Sequence, residues 1–247
     1  MKKAVLSISS WGYLLWETLL RLRYVWWDRK RLIQQMDHVG VSSIPVVLLI
    51  GFFAGAIIAW QGAYQVRGLV SYTILGGQVS RVIMMEMGPV LTAMVISGRI
   101  GASMAAEIGS MKISEQIDAL KTMSIDPVRY LVLPRFLGLS LMMPVLCVFA
   151  LCAAMLGAWL VSNYFLDITV QVFFGSVRSY FHLGDLSGGL IKSVIFGMII
   201  SMTGCNRGFQ AQKGARGVGK ATIDAFVISS VLILLADFLL WVILFNN

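Results

Sequence analysis

The 247 residues are 58% hydrophobic and 13% charged, with a mean hydropathy of +0.81. A soluble domain is about 45–50% apolar and about 25% charged, so this composition excludes an ordinary soluble protein and indicates an integral membrane protein with one membrane domain. The net charge of +8 points to lipid headgroups and topology rather than to nucleic acid.

The chain opens on an apolar face. Val5, Ile8, Trp11, Leu15, Leu19, Leu22 and Trp26 recur at steps of 3 or 4, with Glu17, Arg21 and Arg23 on other faces. No small-residue cleavage site follows, so this is not a plain signal peptide. The Trp-rich face and the cluster Arg29-Lys30-Arg31 suit a helix lying in the membrane interface, followed by a basic linker to residue 40. A sixth, poor span is the alternative, at the cost of placing Glu17, Arg21 and Arg23 in hydrocarbon.

From residue 41 to 247 the sequence reads as one domain of five spans, near 43–62, 80–106, 136–166, 186–205 and 221–245. Each is long enough to cross ~30 Å of hydrocarbon at ~1.5 Å per residue. The expected fold class is therefore all-α and polytopic. Of the 20 Lys and Arg residues, fifteen fall in the N-terminal part, in the 107–135 interval or in the 206–220 interval. Arg67, Arg81 and Arg178 fall on the other side. The positive-inside rule places the N-terminus and both intervals in the cytoplasm, and Asn247 on the far side.

Small residues recur every fourth position: Gly51, Gly55 and Ala59 in span one, Ala93, Ser97, Gly101, Ala105 and Gly109 in span two, and Gly189, Ser193, Gly197 and Ser201 in span four. Such stripes let backbones approach closely in lipid. The longest, in span two, suits the centre of the bundle or a dimer. Glu86, Arg99, Lys192 and Asp237 sit in apolar surroundings, where charges face an interior or a water-filled cavity. Glu86 precedes Met87-Gly88-Pro89, where the missing proline donor loosens the helix. That suits a cavity wall, with a position among headgroups as the alternative for Glu86 and Arg81. Arg99 and Glu107 share a face and could pair with other spans.

Between spans two and three, Ser114 to Met123 reads as a short amphipathic helix. Ser114 is placed to cap it, Glu115 and Asp118 lie near its positive end, and Ile113, Ile117 and Leu120 form its apolar stripe. Pro127 ends anything helical before it. Such a helix suits docking into a groove on a soluble partner; an ordinary surface helix is the alternative. Residues 214–220, GARGVGK, begin like a phosphate-binding loop. Ala221 stands where Ser or Thr should hold magnesium, and no strand precedes it, so Arg207 to Lys220 reads as a flexible basic loop. Cys147, Cys152 and Cys205 form no CxxC pair, His38 and His182 are isolated, and no catalytic or metal constellation is evident. The energy for any transport must come from elsewhere.

Five motifs in order, EMGP (86–89), GRIGASMAAEIGSM (98–111), EQIDAL (115–120), DPVRYLVLPR (126–135) and GARGVGKAT (214–222), followed by Asp237, resemble the signature of the MlaE-type ABC transporter permeases. The resemblance covers the chain from about residue 40 to its end. It implies a non-enzymatic permease subunit of a phospholipid transporter in a bacterial inner membrane, serving outer-membrane lipid asymmetry. It implies a homodimer of five-span protomers with a periplasmic C-terminus. The implied partners are an ATPase subunit that binds the ATP, a periplasmic MCE-domain protein and a small STAS-domain protein; no cofactor or nucleic acid is implied for the permease itself. The coupling helix docking on the ATPase would be 114–123, with Ser114, Glu115, Gln116, Asp118, Leu120 and Met123 as its surface. Gln61, Tyr64, Glu86 and Met87 would line the lipid cavity. Two other classes remain open on the residues alone: an ion-coupled carrier or channel using Glu86, Arg99 and Asp237, although no inverted repeat is seen, and a structural membrane anchor.

Overall fold

The computed structural model describes residues 2–24, 29–66, 74–212 and 214–245. Trp26, Arg67, Lys213 and Asn247, which figured in the expectations above, lie outside them. The chain is an all-α, multi-pass membrane protein: the described residues form no strand, and 5 helices are long and apolar enough to cross a membrane. A chain in hydrocarbon must satisfy its backbone groups within each segment, and these apolar runs can do so only as helices.

In chain order the helices are α1 (Lys2–Leu20), α2 (Arg29–Gly40), α3 (Ile44–Val66), α4 (Leu75–Ile113), α5 (Gln116–Thr122), α6 (Val128–Phe165), α7 (Val170–Tyr180), α8 (Leu183–Phe209) and α9 (Ala215–Phe245). The membrane helices outrun their apolar cores. α4 continues to Ile113, so the polar interval after span two is shorter than its composition suggests. The basic loop expected at 207–220 is corrected likewise: α8 runs to Phe209 and α9 starts at Ala215. Gly214 and Gly217 of GARGVGK serve this turn. Gly214 has φ +86°, and a Cβ on Gly217 would lie 2.1 Å from the Gln212 carbonyl oxygen.

The helices contribute to two compact units. The first comprises Met1–Ser42, Ala93–Met142 and Val194–Leu239; the second comprises Ser43–Thr92, Met143–Ser193 and Leu240–Asn247.

In the second unit, α3 meets α6 backbone to backbone. A Cβ on Gly55 would lie 1.9 Å from the Ala154 carbonyl oxygen, one on Gly51 2.7 Å from that of Ala150, and one on Gly157 2.0 Å from that of Phe52. The span-one stripe is thus consumed by packing within the chain. Helix α7 was not foreseen. Its Phe173 is fully buried, and its Ser176 hydroxyl accepts from the Gly77 N–H at 2.9 Å. The pair Gly76-Gly77 admits it: a Cβ at 76 would lie 2.4 Å from the Phe173 carbonyl oxygen.

In the first unit, the span-two stripe faces α8. Ala93, Ser97, Gly101 and Ala105 are buried, and a Cβ on Gly204 would lie 2.8 Å from the Gly101 carbonyl oxygen. This places the stripe at an interior contact of the unit. Helix α1 packs here through Leu14 and Thr18, with Trp11 and Leu15 beside them, against a cluster that includes Ile117, Leu131, Phe136 and Met202. The expected face is therefore rotated: Leu19 is exposed, as are Tyr13, Trp16 and Leu20. Both flanks of α1 are apolar, so one seats on the protein while the other is left to its surroundings. Trp11 and Leu15 of the expected face do pack, while Leu19 and Leu22, at its C-terminal end, do not.

Candidate functional site

The short helix α5 stands on a corner made by one residue. Glu115 adopts φ +59°, in the left-handed region. Its N–H donates to the Lys112 carbonyl at 3.2 Å, closing α4, while its own carbonyl accepts the first N–H bonds of α5, from Asp118 and Ala119. Ser114 does not cap α5 as expected. Its hydroxyl points back to the Ser110 carbonyl at 2.9 Å, at the end of α4, and Glu115 at the N-cap makes no side-chain cap bond. The far end of α5 is also left-handed. Ser124 has φ +58°, the Ser124 N–H bonds the Lys121 carbonyl and the Ile125 N–H bonds the Leu120 carbonyl, both at 2.9 Å. That pair of bonds satisfies carbonyls the helix would otherwise leave open.

Two residues of the predicted stripe, Ile117 and Leu120, pack, while Ile113 ends α4 instead of belonging to α5. Ile117 is 5% exposed in the α1–α4–α6–α8 cluster, and Leu120 is half-buried against it. Leu120 therefore helps to anchor the helix to its own chain. Ser114, Glu115, Gln116, Asp118 and Met123 are exposed, Met123 at 70%. Among the described residues Asp118 pairs with Lys121 on its own helix at 2.9 Å, with both side chains well exposed. An exposed pair of this kind contributes at most about 1 kcal/mol and leaves both groups free to exchange partners.

Asp126 then fastens the corner. One carboxylate oxygen accepts the Val128 N–H at 3.0 Å and the other accepts the Arg21 guanidinium of α1. It thereby caps α6, with Pro127 in the first-turn position where a missing N–H is no loss. Arg31 lies 3.9 Å over the Tyr130 ring and Arg129 lies 4.6 Å over that of Tyr24, so α2 and the segment after α1 grip the same start of α6. Arg135, 9% exposed, bonds Glu107 at 2.9 Å, and Lys112 caps the α8 C-terminus through the Phe209 carbonyl at 2.6 Å. The helix presents a polar, acidic face on a foundation of buried apolar residues and internal ion pairs.

The residues predicted for a lipid cavity lie in the second unit. Helix α4 is interrupted by a π-helical turn at Ile83–Met87, where the Gly88 N–H reaches the Ile83 carbonyl. Pro89 has no N–H to offer the Met85 carbonyl four residues before it. Lys192 of α8 supplies the donor: its Nζ lies 3.2 Å from that oxygen and 2.9 Å from Glu86 Oε1. Lys192 has no exposed surface, and the Glu86 side chain is 29% exposed. Glu86 is therefore paired within the chain while part of its side chain stays exposed. Arg81 is likewise tied, to Asp185 at 2.8 Å. Met87 is 40% exposed on the same turn; Gln61 and Tyr64, the latter 75% exposed, lie near the end of α3. Sequence reasoning found both Glu86 and Lys192 but did not pair them. A second π-turn, Ser97–Gly101, carries Arg99, which donates to the Ser42 carbonyl.

Residues 32–243 match the family model described as Permease MlaE. The chain belongs to the MlaE permease family. It is 39% identical over 215 residues to a probable ABC transporter permease protein of Rickettsia typhi, covering 87% of this chain and 83% of that one. It is 37% identical over 220 residues to a probable ABC transporter permease protein of Synechocystis, covering 89% and 84%. The chloroplastic protein Trigalactosyldiacylglycerol 1 of Arabidopsis thaliana is 34% identical over 208 residues, 84% of this chain and 59% of that longer one. The corner helix and the Glu86–Lys192 turn thus belong to a permease subunit, for which an ATPase partner is implied in general.

Proposed function

We propose that this MlaE-family permease moves phospholipid across or out of a bacterial inner membrane, and that α5 is the lever through which a partner ATPase drives it. The observation that carries this reading is the division of labour on α5. Ile117 and Leu120 hold it to the protein, while Glu115, Gln116, Asp118 and Met123 face outward on a helix bounded by two left-handed residues. A push on that face is delivered through the Ile117 cluster to α4, α6 and α8. With α5 on the basic, cytoplasmic side, the N-terminus is cytoplasmic and the C-terminus periplasmic. The lipid substrate is supported by a relative named after a glycerolipid.

In this reading two copies form the transporter, a periplasmic MCE protein exchanges lipid with them, and a STAS-domain protein accompanies the ATPase, serving outer-membrane lipid asymmetry. Gln61, Tyr64 and Met87 contact the lipid, and Glu86 acts beside them through its bond to Lys192. Lipid shifts the resting and driven states only by binding one better than the other. The alternative of a polar ion pathway is disfavoured, since Glu86 is committed to Lys192 and Arg99 to a backbone carbonyl.

The test is Glu115→Lys with Asp118→Lys in the purified complex. Lysine at 115 is no worse in the left-handed region than glutamate, and both positions are exposed, so the fold is untouched. Lipid-stimulated ATP hydrolysis is expected to be lost while the protein still inserts. Normal coupled turnover would refute the lever.

A further inference from the structure

A cleft of about 470 Å³ opens in the first unit between α1, α8 and α9. Its walls are apolar, built by Ile199 of α8 and by Ile228, Leu232 and Leu239 of α9. One end differs: Trp11, Thr203, Arg207 and Asn206, whose carboxamide oxygen already accepts from Gln210, line it. Thr203 is 1% exposed and its hydroxyl has no hydrogen-bond partner; the Trp11 indole N–H is also buried and without one. Buried donors in proteins are nearly always satisfied, so these two ask for acceptors from a molecule that enters the cleft.

The dimensions and chemistry say which. Ile228 to Leu239 covers about 16 Å of helix at ~1.5 Å per residue, about half of a ~30 Å hydrocarbon core and hence one leaflet. Reading from the polar end, the cleft offers a cation, then two donors, then a long apolar wall. A glycerophospholipid presents the complementary order of phosphate, ester carbonyls and acyl chain. A transmembrane helix from a second copy would not answer the donors, because its carbonyls are used in its own ladder. Tryptophan at this level fits the water–hydrocarbon boundary.

We propose that the α1–α8–α9 cleft binds a glycerophospholipid of the leaflet on the N-terminal side, with its ester carbonyls accepting from Thr203 and Trp11 and its phosphate beside Arg207. This site goes beyond the transport reading, since a resident lipid would occupy it whether or not the chain couples to an ATPase. It is formed by none of the residues predicted for the transport cavity.

The experiment places the photocrosslinker p-benzoylphenylalanine at Leu232, inside the cleft, or at Leu234, which is 54% exposed on the same helix outside it. The full complex is reconstituted in nanodiscs of phosphatidylethanolamine and phosphatidylglycerol, then diluted into detergent before illumination. A phospholipid adduct is expected at 232 and several-fold less at 234. Thr203→Val, which keeps shape and removes the hydroxyl, should cut the adduct at 232 several-fold without lowering the unfolding temperature. Equal adducts at both positions would reduce the cleft to annular lipid and overturn the site. A crosslink from 232 to a second copy or another protein would overturn it too, and an unaffected adduct in Thr203→Val would overturn the carbonyl contact. Putting the crosslinker at 232 into the Glu115→Lys, Asp118→Lys complex separates the two ideas: an adduct absent at 232 sinks the cleft alone, and coupled hydrolysis kept at its normal rate sinks the lever alone.

Discussion

Two charged regions of this protein are handled in opposite ways. Around the Ile83–Met87 turn, the fold consumes its charges: Lys192 has no exposed surface, and its ammonium answers both Glu86 and the carbonyl that Pro89 abandons. On α5 the acids stand in the open, and among the described residues Asp118 has one salt bridge, a weak one to Lys121. Within the hydrocarbon a charge needs a partner or a water-filled cavity, and here the chain supplies the partner. At the surface a charge kept out of the fold's own bonding is available to something else.

The sharpest way to break this contrast is at Glu86. Glu86→Ala leaves a buried ammonium uncompensated and should cost about 3 kcal/mol, the lower end of the range for such losses because Glu86 is partly exposed. The double change Glu86→Met with Lys192→Met should recover most of that, as read by thermal unfolding in detergent. If Glu86→Ala is silent, the pair is not structural. Next comes Asp126→Ala, which removes the α6 cap and the Arg21 contact together and should cost about 1–2 kcal/mol. Smaller and opposite in sign is Ser124→Gly. Relief of a left-handed penalty of roughly 1 kcal/mol, partly offset by glycine's entropy, should stabilise by about 0.5 kcal/mol. Lys121→Ala should change stability by less than about 0.5 kcal/mol; a larger loss would mean that α5 is held by its charges and not by Ile117.

Much of this was legible in the sequence because lipid leaves few options. The five spans follow from apolar length, and the stripe of Ile117 and Leu120 from a spacing of three. What escaped shares one cause: one-dimensional reading does not say what a side chain meets. Ser114 has the right chemistry for a helix start, yet the chain turns at Glu115 and the hydroxyl is left facing α4. Trp11, Leu15 and Leu19 fit one stripe on α1, but Leu14 and Thr18 flank it, and the cluster beneath takes Trp11, Leu14, Leu15 and Thr18 and leaves Leu19 out. Helix α7 is short and lies in an interval read as a connection, although Val170, Phe173, Phe174 and Val177 carry its period. Glu86 and Lys192 were both visible as lone charges of opposite sign; their separation of 106 in sequence hid that they are one pair.

The buried ammonium also constrains how the protein is made. A lysine at the middle of a membrane helix costs about 2.5–3.5 kcal/mol to insert by itself. Helix α4 is synthesised before α8, so the carboxylate and the vacant Met85 carbonyl are already in the bilayer when Lys192 arrives. The fourth span thus inserts at a lower cost while the second remains nearby, and a nascent chain that let α4 drift away would carry that cost at biogenesis, before any transporter had assembled.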